Sequence, residues 1–183
     1  MAAKPEDILN FWLYEVGRER WVEEDRTLDA TIRERFLQSY EQAIAGELKG
    51  WEDQPESTMA LLLLLDQFPR RMFRGTPRAF ETDELAQEIA RDAIIKHFDD
   101  RIDRGFKMLF YLPFLNSESE GNQRLALFYI RERVKENEWL SLAEQHYEIV
   151  QRFGRFPERN PILGRDPTPE EVEFLKHNSG GRA

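Results

Sequence analysis

The sequence predicts an all-α protein of about eight helices packed as antiparallel hairpins, and three observations predict it. Apolar residues recur every three to four positions almost throughout the chain. No stretch sustains the two-residue alternation of β-branched residues that marks strands joined by hairpin turns. Prolines, capping pairs and glycines stand where helices of that periodicity would start and stop. The chain has 183 residues, 40% of them apolar and 12% aromatic, which suffices for an ordinary core. It reads as a single helical domain over 1–178 with a flexible tail at 179–183.

Each helix has its own warrant. Pro5 suits a first-turn position and opens a helix over 5–14, because a proline there gives up an N–H that would be idle anyway. Leu28, Ile32, Phe36, Tyr40 and Ile44 lay an apolar stripe along 26–45, which Gly46 can end. Pro55 opens 55–68, and its apolar run Met59 to Leu65 marks it as central core. Leu85, Ile89, Ala93 or Ile94, and Phe98 repeat the helical spacing over 82–99. The aromatic-rich helix over 104–115 should end or kink at Pro113. Ser117 and Glu120 form a candidate capping box ahead of 119–136. Trp139, Leu142, His146, Ile149 and Phe153 define 139–153, which stops at Gly154. Thr168-Pro169-Glu170-Glu171 is a stronger capping box for 168–177. Connections are short except at 69–81 and 154–167, and loops of that length are often functional.

Composition removes several function classes. With no cysteine, disulfides, thiolate zinc sites and cysteine nucleophiles are excluded. A net charge of −9 argues against bulk nucleic acid and anionic membranes as partners. The longest apolar runs fall far short of the ~20 residues of a membrane-spanning helix. Neither end carries a signal-peptide run or a lipidation box, so a cytoplasmic location is expected. The three histidines are scattered, and neither a metal nor a cofactor is expected. Asp99-Asp100-Arg101-Ile102-Asp103 has the spacing of a magnesium-binding aspartate motif, but no second acidic motif accompanies it. It follows an apparent helix end and reads as a solvated terminus.

The charge is unevenly spread. The only cation-rich windows coincide with the two long connections: Arg70, Arg71, Arg74 and Arg78 in one, Arg152, Arg155, Arg159 and Arg165 in and beside the other. Arginine presents a planar fork that grips carboxylate or phosphate with two prongs. A groove lined by these side chains would suit a small anion or an acidic peptide. The structural alternative is that they cap helix carbonyls and pair with the surplus acids of neighbouring helices. His146 lies on an apolar stripe, where a histidine is either a hydrogen-bonded core residue or an acid/base. Asp66 ends an apolar run with Arg70 at i+4, a spacing that suits an ion pair.

Six segments carry a resemblance: ILNFW from Ile8, DATIRERF from Asp29, LLDQFPRRMFRG from Leu64, YLPFLNSESEGNQ from Tyr111, HYEIVQRFGRFPERNPILGR from His146, and TPEE from Thr168. In this order they resemble the bacterial family called domain of unknown function 924. The resemblance implies an all-α fold similar to tetratricopeptide-like hairpins, although the chain has no fixed-period repeat that meets that consensus. It also implies a shared pocket at Asp66, Gln67, Arg70, Ser117, Glu118, His146, Arg152, Arg155, Arg159 and Asn160. The chain departs from the family pattern at Asn116 and Glu158, where histidines are expected, and at Arg71, where asparagine is common.

Two functions follow as expectations. One is a binding module whose arginine-lined groove, with Gln67, Arg70, Ser117, Arg152, Arg155, Arg159 and Asn160, takes a small anion or acidic peptide. The other is a small hydrolase or transferase with His146 as acid/base, Asp66 or Glu118 orienting it, and Arg155 and Arg159 holding substrate.

Overall fold

A computed structural model describes residues 3–21 and 23–177; the tail expected at 179–183 lies outside them. Among the described residues there are helices and turns but no strand. In chain order the α-helices are α1 (Pro5–Asn10), α2 (Arg26–Ile44), α3 (Pro55–Leu62), α4 (Phe68–Met72), α5 (Asp83–Ile95), α6 (Met108–Leu115), α7 (Glu120–Tyr129), α8 (Asn137–Phe153), α9 (Asn160–Leu163) and α10 (Pro169–His177). None of the described helices is long and apolar enough to cross a membrane.

Chain contacts gather into two compact units. The first comprises the residues up to Arg74 together with Arg78–Pro113. Its α1 packs on α3, α2 on α4, and α3 on α5. Leu28, Ile32, Phe36 and Tyr40 are all buried, so the α2 stripe faces the core over these four positions, but Ile44, at the end of the helix, is 40% exposed. Phe68 sits at the centre of that core, its ring 5.0 Å from Phe36, 5.4 Å from Trp12 and 6.3 Å from Phe11. Trp21 stacks on Trp12 at 6.0 Å and donates its indole N–H to the Trp12 carbonyl.

Helical structure persists past Pro69, where a loop was expected, because a π turn at Leu63–Gln67 precedes α4. The Phe68 N–H bonds to the Leu63 carbonyl, and Pro69 falls in a first-turn position, where no N–H is needed. The helix of 104–115 begins later than predicted, after a 3-10 turn at Arg104–Phe106, and runs two residues beyond Pro113. The acidic run at 99–103 is not simply a solvated terminus. Asp99 is fully buried and accepts a hydrogen bond of 2.5 Å from the hydroxyl of buried Tyr111.

The second unit comprises Gly75–Pro77 and the residues from Phe114 on. Helix α7, extended by a π turn at Ile130–Val134, packs along α8 as a hairpin. Gly154 caps α8 in the left-handed region at φ 69°, which a glycine adopts without the steric cost a Cβ would bring. The segment expected to lack helix at 154–167 holds a 3-10 turn, Pro157–Arg159, and the single-turn α9. Pro157 and Pro161 start these turns, which are too short to show any periodicity. The Thr168 box forms: the Thr168 N–H donates to the Glu171 carboxylate and the Glu171 N–H to the Thr168 hydroxyl. The Ser117 box does not, because Ser119 is the residue ahead of α7 and Ser117 accepts from its N–H instead.

Candidate functional site

In the first unit the π turn presents Asp66 and Gln67, and α4 presents Arg70 one turn on. Asp66 is buried, and its carboxylate accepts from Gln67 Nε2 at 2.5 Å and Arg70 Nη2 at 3.2 Å. The same Arg70 nitrogen donates to both oxygens of Asp83 at 2.9 and 3.0 Å, and its guanidinium lies over the Phe80 ring. Burial opposes the Arg70 charge, but the two aspartates outweigh it and raise its pKa. Arg71 is buried, donating to Asp29 and to the carbonyls of Arg20 and Trp21. Arg74 takes Asp29 with two nitrogens, and Arg78 pairs with Glu41 over the Phe73 ring. All four arginines of this stretch therefore meet a carboxylate.

In the second unit, side chains from separate elements converge on the end of α6. The Leu115 carbonyl accepts from Gln123 Nε2 at 2.8 Å and from His146 Nδ1 at 2.9 Å. A carbonyl can only accept, so Nδ1 carries the proton. The next carbonyl, Asn116, accepts from Arg159 Nη2 at 2.9 Å, and that of Ser117 from Gln123 at 2.6 Å. The Leu115 carbonyl is one of the acceptors that a helix C-terminus leaves without an intrahelical donor. His146 and Arg159 also share a ring: His146 meets buried Phe156 edge-on at 5.0 Å, and the Arg159 guanidinium lies 4.5 Å from the same centroid.

Beside this cluster runs a network of charges. Glu118 is gripped by Arg165 with two nitrogens, at 2.6 and 2.9 Å, and accepts from the Phe156 N–H. Arg165 Nε donates to Asn160 Oδ1, and Asn160 Nδ2 donates to Glu171. Arg155 closes the chain with a two-pronged bond to Glu171 at 2.6 and 2.8 Å. Glu171 is buried, and the Arg155 bond, outweighing burial, lowers its pKa to about 2. Burial also opposes ionisation of Glu118, but the Arg165 bond and the Phe156 N–H win and its pKa falls. Glu158 goes the other way, raised by burial against the pull of Arg159.

The family model for a bacterial protein of unknown function, DUF924, matches residues 8–179. The chain belongs to the DUF924 family. It is similar to the solved structure of a protein of unknown function, ATU0120, from Agrobacterium tumefaciens. That chain is 40% identical with a TM-score of 0.91, over 95% of this chain and 97% of the other. No curated protein matches the chain.

The DUF924 motif residues thus fall into distinct groups. Asp66, Gln67 and Arg70 form the ion cluster of the first unit, joined by Asp83. Glu118, Arg155 and Asn160 belong to the charge network, joined by Arg165 and Glu171. His146 and Arg159 meet at Phe156. Ser117 accepts from the Asn122 side chain, and exposed Arg152 pairs with Glu170. Asn116 contributes its backbone carbonyl here. Sequence reasoning did not single out Gln123, Phe156, Asp83 or the partnership of Arg165 with Glu118. The repeated aromatics of RFGRF were the one available signal for Phe156. Among the described residues no group of three or more His, Asp or Glu is placed to hold a metal ion.

Proposed function

We propose that this DUF924 protein is a helical binding module whose second unit takes a small anion, or the acidic end of a peptide, at Arg159 and His146. The observation that supports this is their convergence: a guanidinium and an imidazole on one buried aromatic ring, positioned by consecutive backbone carbonyls. A guanidinium set over a ring and tied by one nitrogen to a carbonyl is pre-organised, and its planar fork matches carboxylate or phosphate. Arg152, Arg155 and Arg165 each bond a carboxylate, so they act as framework in this reading.

Thermal stability measured against a panel of phosphates, nucleotides, carboxylates and acidic peptides tests the proposal. A bound ligand at ~100 times its Kd should add about 2.7 kcal/mol to the wild type. Arg159→Gln should lose that response while keeping its fold. A panel that stabilises nothing, or a variant that responds as the wild type does, removes the proposal.

One observation favours the acid/base reading as a second. Because Nδ1–H donates to the Leu115 carbonyl, the neutral imidazole has its lone pair on Nε2, the form a general base needs. On that reading, His146→Ala should abolish turnover of an ester or phosphoester panel while ligand stabilisation persists.

A further inference from the structure

A cleft of about 330 Å³ lies in the second unit. It is lined by Pro157, Pro161 and Pro167 and by Val172 and Leu175 of α10, and Lys176 supplies the one charged lining group. Asn160 is the remaining polar contributor, and its side chain is held from both ends by Arg165 and Glu171.

Three features of this wall matter for binding. Proline has no rotamer freedom to lose, so an incoming apolar group meets a surface that costs almost no side-chain entropy to order. The Asn160 side chain in this lining is fixed by the charge network, which helps to pre-form the cleft. Its size stands at the small end of ligand pockets, enough for one ring or a short chain. The charge is also one-sided. Lys176 pairs with Glu173 at 3.2 Å, but both side chains are more than half exposed, and such surface pairs hold weakly and exchange readily. An anion arriving at the rim can take the ammonium over.

We infer that the cleft binds a small amphiphilic carboxylate, its ring or short chain against the three prolines, Val172 and Leu175, and its carboxylate on Lys176 Nζ. The inference goes beyond the Arg159 reading and does not rest on it.

Three compounds with the same ring separate the contributions: phenylacetate, 2-phenylethanol and phenethylamine. Methyl-resolved NMR follows Val172 and Leu175 during each titration. Phenylacetate should shift both residues saturably and bind severalfold tighter than the alcohol, with the amine weakest. Lys176→Gln should bring phenylacetate down to the level of the alcohol, about 3–10-fold. Val172→Trp, a change on an exposed face of α10, should fill the cleft and abolish all three titrations. Methyl signals that ignore phenylacetate overturn the inference, as does equal binding of acid and alcohol. Shifts of the same methyls on simple dilution would assign the cleft to a second copy of the chain and overturn it too. The readout sits on α10 methyls, so it stays separable from the loss of stabilisation that tests Arg159.

Discussion

Replacing Glu171 by alanine is expected to cost the folded protein about 3 kcal/mol, measured by urea denaturation at neutral pH. Four donors lose their acceptor at once: Arg155 Nε and Nη2, Asn160 Nδ2 and the Thr168 N–H. The carboxylate is 2% exposed and Arg155 25%, so solvent recovers part of the arginine's loss but little of the rest. A capping interaction alone is worth about 1 kcal/mol, and the charge-assisted bonds supply the remainder. The pH dependence has a definite sign. The folded pKa of about 2 lies below the ordinary glutamate value of 4.5. The stabilisation is therefore complete above pH 4.5 and is lost as pH falls towards 2, by about 2–3 kcal/mol in total. Glu171→Gln keeps the shape and removes the charge. Its deficit against the wild type should be full at pH 6 and shrink steadily between pH 4.5 and 2. An alanine variant within 0.5 kcal/mol of the wild type, or a glutamine deficit that ignores pH, would show that this network does not hold the second unit together.

What the sequence disclosed follows the range of the interactions. Helices depend on neighbours three and four residues apart, so Leu28 to Tyr40 and the Thr168 box could be read directly, and both stand in the structure as expected. The π turn before Pro69 could not, because a proline after an apolar run ordinarily signals an ending. The short turns at 157–163 contain too few residues to reveal a period. The arginine windows were visible as composition, but their partners were not: Arg165 meets Glu118 across 47 positions, and Arg71 meets the Trp21 carbonyl across 50. Likewise Asp99 and Tyr111 lie 12 residues apart in chemistry that neither residue announces. Many of the expected site residues satisfy helix ends and carboxylates. The combination of His146, Arg159 and Phe156 exists only once α6, α8 and the 157–159 turn are in place.

Phe68→Ala is expected to be the most damaging single change, at about 4 kcal/mol, because it empties the centre of the first unit's core. The residue is 0% exposed, and three other rings, from two segments, approach it within 6.3 Å. Those partners come from the π turn at Phe11–Val16 and from α2, and Phe68 itself opens α4. One truncation therefore withdraws contacts from elements far apart in sequence, and the surrounding rings are too rigid to collapse fully into the space. The π turn makes the position demanding. An i→i−5 bond from Phe68 to Leu63 adds a residue to the turn and rephases everything after it, so this ring is aimed at Phe36 by backbone geometry that no neighbouring substitution can imitate. Unlike the Glu171 loss, this one involves no ionisation and should be the same at pH 5 and pH 8. Phe68→Leu, which keeps most of the volume, should cost about 1.5 kcal/mol, as such swaps usually do. The melting temperature of the alanine variant should drop by roughly 8–16 °C for a chain of this length. The stacked pair Trp12 and Trp21 offers a local report, since Trp12 loses a neighbour when the Phe68 ring goes. Their emission should move to the red in Phe68→Ala while the far-ultraviolet helix signal is kept. A loss below 2 kcal/mol with unchanged emission would mean that the first unit is not built around this ring.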